Sequence, residues 1–512
     1  MATFARVFRA CALWLALPAL AVLPGCRDDS SSPATSATGS KAEAVLEDET
    51  WDIVFLKGER VGYSHAAVYR EQRDSQDVLR VECREALTLR SYGNLLRMES
   101  EYVSVETPEG QLLEFSSSLP QGGTPMRTVG RVVGDQLQLR VSTSGKTLET
   151  AIPWSKQYGG VYGLAGSLKR QPLRPGETRT LCALDVASNQ ASTTSLRAVD
   201  YEETELISGS RRLLRVEMTT EMAGREIQGS LWIDDEGQIL KNRVAAILGY
   251  ESIRATREEA LQEVKQIDFD LGRGSAVKVA RQLNAPHDTK KIVYRMRLEG
   301  ADPMKVFSSG PTQEVVSKGD GVAEITVHAV RPGAESRSPD GQSDAPTEAD
   351  LAPNNLIQSD DPTVVAMARQ AAGEVKDPWL AAVALEKFVN QRMTTEGISS
   401  AFATAAEVAR SLTGDCTEHA VLLAALARAR GIPARVAIGL VYYRGEFLYH
   451  MWTEVFVAGI WAPLDATLGR GGIGAAHLKI TGSNLEGAAP QAAFLPVTEV
   501  IGQLEIEILD VE

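Results

Sequence analysis

A cysteine, a histidine and an aspartate near the end of the chain occur in an order that suits thiol chemistry. Cys416 follows Gly414-Asp415 and precedes an Ala/Leu-rich run, so we expect it at the first turn of a buried helix. Backbone N–H groups at a helix N-terminus stabilise a thiolate and lower the pKa of the thiol. His450 and Asp465 fall in two later predicted strands. The pattern predicts a nucleophile on a helix, a base on a strand and an orienting carboxylate on the next strand.

The elements that must position these residues follow from the hydrophobic pattern after residue 353. Two helices are predicted to open at Asp361-Pro362 and Asp377-Pro378, because proline suits a first helical turn, and a third short helix is predicted over about 404–412. The helix that begins at Cys416 should stop at Gly431-Ile432-Pro433. Strands are predicted over 434–442, 449–457 and 461–467. A tight turn at Ala458-Gly459 then sets the histidine and the aspartate side by side.

Four blocks of this region resemble the signature blocks of the transglutaminase-like superfamily. They are Gly414-Asp415-Cys416, 428–436, His450-Met451-Trp452-Thr453-Glu454-Val455 and 461–467. The resemblance implies a papain-like α+β core, in which the helix carrying the cysteine packs on an antiparallel sheet. It also implies that Cys416, His450 and Asp465 form the catalytic triad. The sequence departs from the family's pattern at Met451 and Ala466, outside the triad.

The resemblance implies thiol acyl transfer on a peptide bond or a glutamine side-chain amide, with a protein or peptide as substrate. The backbone N–H of Cys416 would form part of the oxyanion hole, and the second donor is unassigned. Water as acceptor gives a peptidase or amidase, and an amine gives a transglutaminase. Hydrolysis is favoured because nothing in the sequence indicates a dedicated amine site. We expect no cofactor and no metal.

Two alternatives belong to other classes of protein. One is a binding or scaffolding lipoprotein whose transglutaminase-like domain is catalytically silent, which the intact triad disfavours. The other is a metal-dependent hydrolase, which is weaker because the sequence shows no His/Asp/Glu cluster with metal-ligand spacing.

Four further residues are candidates for roles around the triad. His419 lies three residues after the nucleophile, and because two ligands do not make a zinc site, packing or hydrogen bonding is favoured. Trp452 and Tyr449 are candidates for lining the substrate groove, although aromatic residues in strands are more often core. Glu454 shares a strand face with His450, where it would either hydrogen bond to the site or face solvent.

The composition indicates a folded protein of two or three domains. The chain has 512 residues, of which 44% are hydrophobic and 23% charged. A formal net charge of −14 argues against nucleic acid as a partner. Five cysteines are too few for a disulfide scaffold. Cys83 and Cys182 either pair or stay as two separate thiols, and Cys416 should remain free.

The first residues resemble a bacterial export and lipid-anchoring signal. Arg6 and Arg9 precede an apolar run over 10–23, which is too short for a comfortable transmembrane span. The run ends in Leu23-Pro24-Gly25-Cys26, which resembles a lipobox. That resemblance implies removal of 1–25, lipidation of Cys26 and an exported, membrane-anchored protein of the bacterial cell envelope. A plain secretory signal is the alternative.

The remaining divisions come from composition and periodicity. A flexible tether is expected over 26–50, and a β-rich domain over 51–262, where alternating segments predict a largely antiparallel sandwich or curved sheet. A small β segment or domain is expected over 263–330, a linker over 331–353 and the catalytic domain over 354–512. The predicted fold class is therefore α+β, with the papain-like transglutaminase core at the C-terminus preceded by a mainly antiparallel β region. The arrangement resembles secreted bacterial transglutaminase-like proteins of the cysteine protease type.

Overall fold

The computed structural model describes residues 44–512 except for gaps at 92–93, 223–224, 246, 265–266, 269, 271–273, 299–301, 308, 330–343, 395–401, 489 and 499. The predicted signal peptide, the lipidation of Cys26 and most of the predicted tether therefore lie outside the described residues. So does most of the predicted linker. Among the helices of the described ranges, none has both the length and the apolarity needed to cross a membrane.

The N-terminal half forms one continuous antiparallel sheet of 14 strands. The strands are β1 (Val45–Leu56), β2 (Glu59–Arg73), β3 (Gln76–Ser91), β4 (Asn94–Glu106), β5 (Leu112–Leu119), β6 (Met126–Val133), β7 (Gln136–Thr143), β8 (Lys146–Pro153), β9 (Thr178–Asp185), β10 (Gln190–Leu206), β11 (Gly209–Met222), β12 (Arg225–Ile233), β13 (Ile239–Val244) and β14 (Tyr250–Ala255). Their spatial order is β8-β7-β6-β5-β4-β3-β2-β1-β14-β13-β12-β11-β10-β9. This confirms the prediction of a mainly antiparallel β region.

The first strand corrects the predicted tether. β1 begins at Val45, inside the stretch 26–50, because its pairing with β2 extends from Leu56 back to the pair Val45 and Arg70. The outer end of this ladder is polar and charged, and Arg70 Nε lies 2.5 Å from Glu47 Oε1. Cross-strand ion pairs of this kind favour pairing where apolar burial is slight. The hydrophobic pattern alone therefore placed the start of the strand too late.

A second sheet joins the middle of the chain to its end. Its strands are β16 (Lys291–Leu298), β17 (Gln313–Gly319), β18 (Val322–His328) and β23 (Leu504–Val511), in the order β17-β18-β16-β23. Pairing of β16 with β23 runs from Ile292 opposite Val511 to Leu298 opposite Leu504. The small β segment is thus completed by the last strand of the chain, which the sequence division assigns to 354–512.

The third sheet and four helices form the part that carries Cys416. The strands are β15 (Val277–Lys278), β19 (Ala434–Tyr443), β20 (Glu446–Val457), β21 (Ile460–Leu464) and β22 (His477–Ser483), in the order β15-β20-β19-β22 with β21 also paired to β20. The helices are α4 (Pro362–Ala372), α5 (Pro378–Arg392), α6 (Ala405–Ser411) and α7 (Cys416–Ala429). The other α-helices of the described residues are α1 (Gly163–Arg170), α2 (Arg257–Ala260), α3 (Pro303–Val306) and α8 (Leu495–Thr498).

The helix starts lie where capping residues predict them. The side chains of Asp361, Asp377, Thr404 and Asp415 each accept a backbone N–H of the helix that follows. The buried face of α5 differs from the apolar positions expected from the sequence. It consists of Ala381, Ala382, Leu385, Val389 and the carboxylic side chain of Glu386, whereas Trp379 and Phe388 are only partly buried.

Helix α7 is the centre of this domain. Its residues are buried from Cys416 to Arg428, and it packs against β19, β20 and the helices α4, α5 and α6. A helix that is apolar nearly all round belongs in a core. At its end, the Arg428 guanidinium donates to the carbonyls of Ala434 and Ala352, at 2.9 and 2.7 Å. These bonds fix the helix to the start of β19, so its N-terminus has a defined place over the sheet.

The large sheet touches this domain directly. Asn189 Nδ2 donates to the carbonyl of Ala488 at 2.7 Å, and Lys146 forms an ion pair with Asp360. The buried apolar side chains of both parts also form one continuous cluster. The β-rich region therefore supports the domain that carries Cys416.

Candidate active site

The local sequence at the start of α7 fixes the position of Cys416. Asp415 Oδ1 accepts the backbone N–H of Thr417 at 2.8 Å, and Glu418 Oε2 accepts that of Asp415 at 3.0 Å. The backbone N–H of Glu418 donates to the Asp415 side chain in return, which completes a capping box and satisfies N–H groups that a helix start leaves open. Cys416 is therefore the first residue of a 14-residue helix, at the positive end of its dipole, and is only 3% exposed.

The capping residue Asp415 directly precedes the thiol-bearing residue in the chain. Burial and the neighbouring Glu418 carboxylate raise the pKa of Asp415 well above its usual range. This shift favours the uncharged form of Asp415, whose side chain accepts hydrogen bonds from Thr417.

His450 and Asp465 lie side by side because β20 and β21 form a tight hairpin. The two-residue turn consists of Ala458 and Gly459, both with positive φ of 52° and 82°, as turns that match strand twist require. Asp465 follows β21 directly, and its Oδ2 lies 2.8 Å from His450 Nε2. This nitrogen faces the carboxylate, which leaves Nδ1 of the same ring for the hydrogen bond with the Cys416 side chain.

The structure thus brings the three sequence-predicted residues into one hydrogen-bonded chain. Burial opposes the charged form of the histidine, but Asp465 and Cys416 outweigh it and raise the pKa of His450 to about 10. Burial also opposes the charge of Asp465, yet His450 and His477 hold the pKa of this carboxyl well below its usual range. At neutral pH His450 is a cation in contact with the thiol, the environment that stabilises a thiolate.

The carboxylate of Asp465 has more partners than the triad accounts for. Its Oδ1 accepts the backbone N–H of Thr467 at 2.9 Å and the Thr467 hydroxyl at 2.6 Å. Its Oδ2 is also 3.1 Å from His477 Nε2. Each carboxylate oxygen therefore has two neighbours able to donate, which fixes the orientation of the group as well as its charge.

Helix α5 clamps the loop on which Asp465 lies. Glu386 accepts the backbone N–H groups of Asp465 and Gly471 at 3.2 and 2.6 Å, and burial raises its pKa to about 8. Asn390 Nδ2 donates to the carbonyls of Ala466 and Thr467, both at 3.0 Å. The loop is thus held at both ends by one helix face.

Trp452 is a packing residue of the site rather than part of an open groove. It is buried in a small cluster with Ala437 and Ile473. Its ring lies 6.3 Å from that of His450, centroid to centroid, and nearly parallel to it. The other groove candidate, Tyr449, is also buried, with burial raising the pKa of its hydroxyl. Neither residue is exposed to a substrate in this structure.

Gly439 provides the space that the Trp452 ring occupies. Gly439 lies opposite His450 in the β19–β20 ladder, and an added Cβ would lie 2.0 Å from the carbonyl oxygen of Leu478 and 2.9 Å from Trp452 Cη2. We expect Gly439→Ala to lower the free energy of unfolding by about 3 kcal/mol, because a backbone atom cannot move aside cheaply. Urea unfolding measures this. Gly310→Ala, where the added Cβ meets open space, is the control. Equal stability of the two variants would contradict the expectation.

His419 and Glu454 have structural partners of their own. His419 Nδ1 lies 2.6 Å from the carbonyl oxygen of Asp415, so this ring supports the first turn of α7. The expectation that Glu454 either contacts the site or faces solvent is wrong. It is 2% exposed, and its carboxylate binds Arg435 at 2.9 Å and Lys479 at 2.6 Å. Arg435 lies directly opposite Glu454 in the β19–β20 ladder, and Lys479 reaches the same carboxylate from β22.

The fold also forms a group with metal-ligand spacing that the linear sequence does not reveal. One ligand atom each from His450, Asp465 and His477 lies within 4.8 Å of the others. The separations of 2.8 and 3.1 Å are hydrogen-bond lengths, with Asp465 Oδ2 as the shared acceptor. A metal ion bound here would have to replace the hydrogen bond that holds the histidine of the triad.

Sequence reasoning missed four residues of this site. Thr467 is the last residue of the signature block 461–467, but the sequence predicted no function for it. Glu386 was detectable as an acidic residue between the apolar positions of α5. His477 and Asn390 offered no local signal, because their partners are 12 and 76 residues away.

Residues 365–466 match the family model described as the transglutaminase-like superfamily. No curated protein matches the chain. Among solved structures, a "putative cysteine protease" from Cytophaga hutchinsonii is 16% identical, with 44% of this chain and 87% of that chain covered and a TM-score of 0.27. A β-barrel-like protein of unknown function from Brucella abortus is 7% identical over 41% of this chain and 95% of that chain, with a TM-score of 0.28. A "putative protease" from Parabacteroides distasonis is 11% identical over 68% and 65%, with a TM-score of 0.18.

The helix with its N-terminal cysteine, facing a histidine and an aspartate on adjoining strands, defines a domain equipped for cysteine chemistry. Because the TM-scores are low, the assignment rests on the family match. Residues 365–466 are therefore similar to the transglutaminase-like superfamily.

Proposed function

We propose that the protein is a thiol acyl-transfer enzyme that uses Cys416, His450 and Asp465 on peptide bonds or glutamine side-chain amides. The observation that carries the proposal is the buried chain of hydrogen bonds from Asp465 Oδ2 through the His450 ring to the thiol at the start of α7. The proposed domain core is papain-like, with α7 packed on the antiparallel sheet. The chain is exported and anchored to the bacterial cell envelope by a lipidated Cys26, and its partner is a protein or peptide substrate.

The first half-reaction transfers the acyl group to sulfur. In the resting enzyme His450 Nδ1 already holds the proton of the Cys416 thiol, and the thiolate attacks the substrate carbonyl carbon to form a C–S bond. The negative charge moves to the carbonyl oxygen, where the backbone N–H of Cys416 stabilises it. The C–N bond then breaks as His450 returns the proton to the leaving nitrogen, which gives a thioester and a free amine or ammonia.

The second half-reaction regenerates the thiol. Water or an amine attacks the thioester carbonyl while His450 takes its proton, and the C–S bond breaks as the proton passes to sulfur. Hydrolysis is the favoured outcome, because nothing in the sequence indicates a dedicated amine site. Cys416 and His450 are 3% and 1% exposed, so productive binding requires a movement that opens the space above the sulfur.

The thiol itself offers the first test. In the purified protein, iodoacetamide alkylation of each cysteine is followed across pH 5 to 10 by peptide mapping. Cys416 should reach its maximal rate well below the free-thiol pKa of about 8.5, because the His450 cation stabilises the thiolate. Cys83 and Cys182, both free thiols in the described part of the chain, are internal controls.

The shape of the pH profile decides the outcome, since burial alone lowers the rate at every pH. A Cys416 profile that rises only above pH 8.5 would overturn the proposal and favour the catalytically silent binding protein. If the Cys416 alkylation rate instead reaches its plateau well below pH 8.5, which we call the early plateau, the acceptor is tested next. Peptide cleavage indicates hydrolysis, and incorporation of a fluorescent primary amine into a glutamine-containing protein indicates transamidation.

A further inference from the structure

His477 is a second histidine on the carboxylate of the triad. We propose that it is a positioning residue, whose Nε2–H group holds Asp465 Oδ2 in the direction that the His450 ring requires. The proposal rests on the proposed function, because it assigns a role in preparing the Cys416 thiolate.

The geometry places the His477 ring against the carboxylate of Asp465. It is the first residue of β22, on the strand beyond β19, and it pairs with Val441. Its Nε2 lies 3.1 Å from Asp465 Oδ2, the same oxygen that lies 2.8 Å from His450 Nε2. One oxygen that accepts from two rings has little freedom to rotate away from either.

The surroundings favour the neutral form of the His477 ring. Burial lowers the pKa of His477, although Asp465 opposes the shift, and His450 adds a second unfavourable charge. The His287 ring lies 5.7 Å away, centroid to centroid, and burial lowers its pKa to about 3. A neutral ring can donate one N–H to Asp465 without cancelling the negative charge that His450 needs.

The other charged or titratable groups near His477 face different partners. Arg470 faces His287 and forms an ion pair with Asp288 at 2.7 Å. Glu386 and His419 face Asp465 and His450 rather than His477. The Trp452 ring packs edge-on against the His477 ring at 5.3 Å. The hydrogen bond to Asp465 is thus the polar contact by which His477 affects the triad.

Two substitutions distinguish the effect of the His477 hydrogen-bond donor from the effect of ring packing. His477→Phe keeps an aromatic ring to pack against Trp452 but removes the N–H. His477→Gln loses the ring, but its amide nitrogen can occupy the place of Nε2 and donate to Asp465. If only packing matters, phenylalanine is the better replacement; if the donor matters, glutamine is.

The readout is the rate of Cys416 alkylation by iodoacetamide at pH 6 and at pH 10. Without the hydrogen bond from His477, the Asp465 carboxylate can rotate away from His450 and stabilises the His450 cation less. Less of the Cys416 thiol is then ionised at pH 6. We expect His477→Phe to react about 10-fold more slowly at pH 6 and at the wild-type rate at pH 10, where the thiol is ionised in any case. His477→Gln should recover most of the rate at pH 6. His328→Phe, on β18, is the control, and thermal unfolding verifies that each variant is folded.

The outcomes separate this inference from the proposed function. If the wild-type profile lacks the early plateau, the proposed function itself fails. If the plateau is present but His477→Phe behaves like wild type, or reacts faster than His477→Gln at pH 6, only the positioning role is overturned. A rate lowered equally at both pH values also overturns it, because that result indicates altered access to the sulfur.

Discussion

Replacing Cys416 by alanine is expected to lower turnover by about 10⁴-fold or more, because no other group in the site can form the acyl intermediate. The substitution removes one sulfur atom from a side chain that is 3% exposed and leaves the hydrogen bond between His450 and Asp465 in place. The free energy of unfolding should therefore change by only about 1 kcal/mol. Turnover of a peptide substrate and urea unfolding, measured on the same preparation, test both statements.

Cys182→Ala is the matched control for this variant. Cys182 is a free, partly buried thiol on β9, and its sulfur lies 3.7 Å from the hydroxyl of Thr193. Its removal should leave turnover unchanged. Residual activity in Cys416→Ala that equals that of the Cys182 variant would mean that another group carries the reaction.

Local signals in the sequence were enough to predict the framework of the candidate site. Capping side chains and N-terminal prolines mark the starts of α4 and α5, and Asp415 marks the start of α7. The turn at Ala458-Gly459 then fixes which residues of β20 and β21 lie opposite each other. These signals act within a few residues, which is why the proximity of His450 and Asp465 could be predicted.

The residues that hold Asp465 could not be predicted in this way. Glu386 lies on helix α5 and His477 lies on strand β22. Local sequence patterns predict such elements one at a time, and only the tertiary packing brings both side chains to Asp465. Glu454 illustrates the same limit. Its position two residues after His450 is visible in the sequence, but the two cations that bind it lie on β19 and β22.

The same distinction applies to the sheets. Alternating polarity and turn dipeptides predicted many short antiparallel strands. The pairing of β1 with β14 joins two halves of one sheet across about two hundred residues of chain, for example Trp51 opposite Ala255. Likewise, β23 completes the sheet of β16 from the far end of the chain. Strand order of this kind depends on long-range burial, which periodicity does not encode.

Replacing Asp465 by asparagine is expected to affect both chemistry and the pH dependence of stability. In triad hydrolases the loss of the carboxylate charge costs about 10⁴-fold in turnover, and we expect a loss of the same order here. Without Asp465, burial dominates, and the pKa of His450 should fall from about 10 to below its ordinary value of 6.5. At pH 7 the ring would then be neutral, and the Cys416 alkylation profile should shift to higher pH.

In the wild-type protein, the charge of His450 makes the free energy of unfolding depend on pH. Because the pKa of His450 is higher in the folded state than in the unfolded state, its contribution to stability is fully present below pH 6.5 and is lost as the pH rises towards 10. In Asp465→Asn this loss should disappear, so the free energy of unfolding should change less between pH 6.5 and 10. Urea unfolding at several pH values measures it, and Asp360→Asn, an exposed carboxylate, is the control. If both variants keep the wild-type slope and the wild-type alkylation profile, then Asp465 does not sustain the His450 cation. In that case the chain of hydrogen bonds would be structural, because a carboxylate that activates the thiol cannot be removed without changing the proton affinity of the ring between them.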